Sequence, residues 1–120
     1  MSRDPRKLRV FQKADAAVLH VYRATRRFPI EERYGLQAQV RKAAVSCATN
    51  LVEGCARQTT AEYLHFVNIS AGSGAETRYL IELAYRLTFV TEEDRQTLVR
   101  EYSEILAGLQ NLIASLAHQP

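Results

Sequence analysis

Residues Thr59–Leu87 read TTAEYLHFVNISAGSGAETRYLIELAYRL. At about 100° per residue, the small and apolar side chains of this stretch form two stripes instead of one. Leu64, Val67, Ala71, Gly74, Ile81 and Tyr85 lie on one side; Phe66, Ser73, Leu80, Ala84 and Leu87 lie on another. A helix with two apolar faces needs neighbours on two sides, so this one belongs inside a helical assembly. Thr59-Thr60-Ala61-Glu62 opens it as a capping box, in which Thr59 and Glu62 can each satisfy the other's backbone donor. The predicted helix covers about 60–88.

The same reading extends to both flanks. After Thr91-Glu92-Glu93-Asp94, a cap with acids at the positive helix end, the seam Leu98, Tyr102, Ile105, Leu109, Leu112, Leu116 predicts a helix over 92–117. On the other flank, Leu36, Val40, Ala43, Cys47, Leu51 and Gly54 predict a helix over 32–57, irregular near Tyr34-Gly35. Before it, Phe11, Ala14, Val18, Val21, Thr25 and Phe28 predict a helix over 8–27, ended by Phe28-Pro29. Nothing alternates with period two over useful length. The fold class is therefore all-α. Short connections favour one antiparallel up-down four-helix-bundle domain over residues 1–120.

Composition is that of an ordinary soluble domain, at 47% hydrophobic and 24% charged residues. Two cysteines make neither a disulfide framework nor a metal finger, which fits free thiols in the cytoplasm. The basic start, MSRDPRKLRVFQKAD, lacks the apolar run of a signal peptide, and no stretch is long enough to span a membrane. Charge is uneven: residues 1–42 hold 11 Lys/Arg against 4 Asp/Glu, whereas residues 43–120 hold 5 against 9. Such a dipolar chain suits self-association or an anionic partner.

Helix two carries a second, weaker apolar stripe, Ala38, Val45, Thr49 and Val52, opposite its core seam. With Phe66, Ser73 and Leu80 of helix three it forms a candidate subunit interface. Burial within the chain is the alternative, because each helix of a bundle already has more than one neighbour. The run Ser70–Ala75, SAGSGA, suits close helix packing and lacks the preceding strand and the lysine of a phosphate loop.

Val45–Gly54, VSCATNLVEG, gathers a thiol, hydroxyls, an amide and a carboxylate. Projected on a helix, Cys47 and Leu51 point to the core, while Asn50, Glu53 and Arg57 follow a polar ridge. The thiol is turned from the carboxylate and has no nearby histidine, so no catalytic residue is assigned. Asn50, Glu53 and Arg57 serve helix bridging or a ligand contact. Glu62-x-x-His65 is a single copy of a spacing that di-iron bundles use twice, so neither metal nor cofactor is assigned. Glu53, Glu76, Glu82 and Arg78 are candidates for architectural ion pairs. On helix one, Arg6, Arg9, Lys13, His20, Arg23 and Arg27 share one face, and Arg9 to Arg27 spans about 27 Å. Arg6, Arg9, Lys13, Arg23 and Arg27 are candidate RNA or DNA phosphate contacts; a solvated face is the alternative.

The segments LRVFQKA, RRFPIEERYGLQAQVRKAAVS, NLVEG and TTAEYLHFVNISAGSGAETRYLIELA, in this order, resemble the bacterial four-helix-bundle family first noticed as reading frames inside intervening sequences of 23S ribosomal RNA genes. The resemblance covers about Leu8–Leu116. It implies a four-helix bundle assembling into a ring, typically a homopentamer, with no established enzyme activity. A distant relative by fold, the accessory protein of diversity-generating retroelements, is a pentameric bundle that works with a reverse transcriptase and RNA. Members commonly carry Trp where Phe11 stands and Ile-Pro where Cys47-Ala48 stand. Together these readings predict a cytoplasmic, non-enzymatic oligomeric scaffold or adaptor, with a nucleic-acid-binding accessory protein as the alternative.

Overall fold

The computed structural model describes residues 3–118, and among them holds four α-helices and no strand. Helix α1 is Arg9–Ala24, α2 is Leu36–Cys55, α3 is Thr60–Arg86 and α4 is Glu92–Ala117. Single 3-10 turns, Pro5–Lys7 and Ile30–Glu32, precede α1 and α2. Helix backbones lie side by side as α1 with α2, α2 with α3, α3 with α4 and α4 with α1. Gln39 meets Glu76, Ser46 meets Ser73 and Gly54 lies against Phe66, so partner numbers fall on α3 as they rise on α2. The molecule measures 48 × 23 × 19 Å, and α3, about 40 Å long, fits along its greatest dimension.

The apolar seams read from sequence form one core. Val21, Val40, Leu51, Val67, Ile81, Leu98 and Leu109 are all fully buried. Thr25, placed on the seam of helix one, is fully buried too. It also ends that helix three residues before the predicted 27: its hydroxyl donates to the Val21 carbonyl (2.8 Å) and receives Arg41 Nε (2.8 Å). Phe28 then tucks against Phe89, with ring centroids 5.5 Å apart.

The corner Phe28–Leu36 departs from the continuous helix expected from residue 32. Ile30–Glu32 makes its own 3-10 turn, and Glu32 Oε1 accepts the Leu36 amide at 2.9 Å. That side-chain cap starts α2 at Leu36. A Cβ on Gly35 would sit 2.8 Å from the same Glu32 oxygen, so a side chain there would push the carboxylate off its cap position.

Both predicted threonine caps form. Thr59 Oγ1 accepts the Glu62 amide and Thr91 Oγ1 accepts the Asp94 amide, each at 3.1 Å. The reciprocal half of the Thr59 box differs from expectation: Glu62 Oε1 takes the Thr59 hydroxyl (2.9 Å), not its backbone amide. Helix α3 closes with Phe89 N to Ala84 O and Thr88 N to Tyr85 O, and Thr88 sits at φ 67°. This is a Schellman stop with threonine at the left-handed position that glycine favours. No described helix is long and apolar enough to cross a membrane.

Candidate interaction surfaces

The Val45–Gly54 segment resolves into a polar seam between α2 and α3. Cys47 is fully buried; the Ser70 hydroxyl donates to its carbonyl at 2.6 Å and lies 3.6 Å from its thiol. Burial pushes the Cys47 thiol up, which makes it a poor nucleophile. Asn50 Nδ2 donates to the Ser46 carbonyl (2.8 Å) and approaches the Ser46 hydroxyl (3.0 Å), which in turn meets Ser73 Oγ (2.8 Å). Asn50 is thus tied into the α2–α3 contact. Arg57 lies over the Phe66 ring at 4.7 Å, a cation–π contact across the same pair. Glu53 is exposed, and its side chain makes no hydrogen bond or ion pair among the described residues.

The expected ion pairs of α3 take other forms. Arg78 Nη1 donates to Ser103 (3.2 Å), and Glu82 faces Arg95 Nη1 at 3.7 Å. Glu62 is used in its cap and the His65 ring stands edge-on to Phe66, centroids 5.4 Å apart. Among the described residues no group of three or more His, Cys, Asp or Glu converges to hold a metal.

The predicted interface divides. Its α2 half stays on the surface: Ala38 and Thr49 are exposed, and Val45 and Val52 are 38% and 43% exposed. Its α3 half is largely occupied within the chain. Phe66 packs on Gly54, and Ser73 bonds Ser46. Leu80 is a correction: at 3% exposure it belongs to the chain's own core and offers nothing to a second copy. The row Phe66, Ser73, Leu80 faces α2 or the interior because α3 packs between α2 and α4. What lies beside the outward α2 row is instead α1, through exposed Tyr22. Ala38 and Val45 share a groove wall with Tyr22.

The basic face of α1 is partly neutralised. Lys13 Nζ pairs with Glu104 (3.4 Å), and His20 lies between Glu101 (2.9 Å) and Asp94 (3.3 Å), all on α4. Arg6 pairs with Asp4 at 3.1 Å, which holds the Asp4 carboxyl below its ordinary value. Arg9, Arg23 and Arg27 are exposed and make no ion pair among the described residues. The sequence spacing put these cations on one face but could not show that α4 supplies acids against it.

A second cationic surface lies apart from the candidate contacts of helix one. Between α1, the corner and α2 lies a groove of about 510 Å³ lined by Tyr22, Arg33, Tyr34, Gln37, Arg41 and Lys42, with Ala38 and Val45. Arg41 is fixed over the Tyr22 ring at 4.5 Å and donates to the Tyr22 carbonyl at 3.2 Å. Arg33 lies 5.8 Å from the Tyr34 ring. The signal was present as an Arg/Tyr-rich corner followed by Arg41-Lys42, but only the fold brings Tyr22 to it.

The family profile described as "23S rRNA-intervening sequence protein" matches residues 6–111. The chain belongs to this family. Its fold is similar to that of a crystal structure of a protein of unknown function from the S23 ribosomal protein family of Bacteroides thetaiotaomicron VPI-5482 (TM-score 0.80, 21% identity). That likeness covers 87% of this chain and 97% of the other. No curated protein matches the sequence. For a 23S rRNA-intervening sequence protein, the family match spans every surface described above, from Arg6 through the corner to the polar seam.

Proposed function

We propose that this chain is a non-enzymatic building block: an antiparallel, up-down bundle that assembles with copies of itself into a cytoplasmic ring of five and acts there as a scaffold or adaptor. The observation that carries the reading is the outward row Ala38, Val45, Val52 on α2, which the chain's own helices leave exposed. These side chains are additional to the core seam of α2, which is already buried. An exposed apolar row on an otherwise packed helix suits an interaction site, and the uneven charge of the two chain halves favours association between copies. The number five follows the family resemblance.

Light scattering tests it. The wild-type chain is expected to run at several times 13.6 kDa. Val45→Glu with Val52→Glu is expected to bring it down to one chain while the far-ultraviolet helical signal stays unchanged. A wild-type monomer at micromolar concentration defeats the proposal.

A further inference from the structure

The groove at the α1–α2 corner shares Ala38 and Val45 with the self-association row, and the rest of its lining has no part in that reading. We propose that it binds single-stranded nucleic acid, with a base stacked on Tyr34 and the flanking phosphates held by Arg33 and Lys42.

Four observations lead there. Tyr34 is a large aromatic side chain at 89% exposure, projecting from the corner instead of packing under it. Its ring offers a face to a flat partner, and base–aromatic stacking is tolerant of sequence. The groove lining contains three cations and no acidic side chain. Arg33 and Lys42 make no ion pair among the described residues, so their charge remains available to phosphate. Arg41 is held by the Thr25 hydroxyl (2.8 Å) and by stacking on Tyr22, a positive plate set in position before any ligand arrives. Finally, about 510 Å³ is within the range of small-ligand clefts, which suits a single nucleotide unit.

The arrangement favours single strands over duplex, because a duplex hides the base faces that Tyr34 would stack on. An acidic peptide would use the cations and leave the tyrosine idle.

The experiment is fluorescence anisotropy of the intact chain with a labelled 12-nucleotide oligouridylate, its DNA counterpart and a duplex, over a salt series, with light scattering on the same samples. Single strands are expected to bind more tightly than duplex. Tyr34→Ala is expected to weaken binding about ten-fold or more while leaving the assembly unchanged, and Tyr34→Phe to restore it. Arg33→Gln with Lys42→Gln is expected to flatten the logarithmic salt dependence by about 1.4, near 0.7 for each lost phosphate contact. Arg9→Gln, Arg23→Gln and Arg27→Gln together are expected to change affinity little. Absence of salt-dependent binding overturns the proposal, as does Tyr34→Ala binding like wild type. Loss confined to the α1 variant places the contact elsewhere and also overturns it. A Tyr34→Ala variant that breaks the oligomer without altering nucleic-acid binding makes the groove a contact between copies, again against the proposal.

Discussion

Gly54 is a point of close approach between α2 and α3. A Cβ there would lie 2.9 Å from the Phe66 Cβ and 3.1 Å from Tyr63 Cδ1. The first of these is anchored to backbone, so the helices would have to part. Gly54→Ala is expected to destabilise the chain by about 1–3 kcal/mol, despite alanine's better helix propensity. Gly72 is the contrasting case, with nothing within 4 Å of an added Cβ. Gly72→Ala is expected to stabilise by about 0.5–1 kcal/mol. Urea denaturation of both variants checks the pair; midpoints moving the same way would show that the α2–α3 approach is looser than described. The SAGSGA run could be read as packing glycines, but Gly74 alone behaves so, since a Cβ added there would meet Cys47 Sγ at 3.3 Å. Spacing places two glycines on a helix; it does not say which one has a neighbour.

At the scale of elements, the stops and starts are set by single side chains. Thr59, Thr91 and Glu32 each bond a first-turn amide, and the two threonines were legible because a cap is local in sequence. Glu32 was not, since it acts from inside what reads as helix and across a glycine. The α3 stop is strained: Thr88 holds φ 67°, costly for a β-branched residue. Thr88→Gly is expected to raise stability by about 1 kcal/mol, with the α3–α4 connection unchanged. Thermal unfolding measures it, and an unchanged or lowered midpoint would mean that Thr88 gains from its surroundings what its backbone loses.

For the whole molecule, the bundle interior holds more polar chemistry than a purely apolar core. Burial raises the Cys47 and Cys55 thiols, and it pushes Tyr63 up to about 12. The Tyr102 phenol is also raised by burial, and its hydroxyl has no hydrogen-bond partner among the described residues. All four groups are neutral below their ordinary values of 9.0 for cysteine and 10.0 for tyrosine. Above them the unfolded chain sheds protons that the folded chain retains, so the folded state binds more protons and stability falls as pH rises. The expected outcome is a denaturation midpoint that declines from about pH 9 upward through the raised values of the folded state. Tyr102→Phe is expected to gain about 1 kcal/mol at pH 7 by removing the orphan hydroxyl, and to lessen the alkaline loss. Denaturation at pH 7 to 11 tests both; a wild-type profile flat to pH 11 would contradict the burial of these groups.

Local pattern alone determined the helices, their threonine caps and the inward direction of Cys47, because periodicity and capping act between residues a few positions apart. Tertiary structure decided the rest. It buried Leu80, turned the α2 row toward α1, set Glu101, Glu104 and Asp94 against the cations of helix one, and brought Tyr22 to the Arg33–Lys42 corner. Each depends on which helices become neighbours, and a helix's own sequence shows its faces without naming what lies across from them.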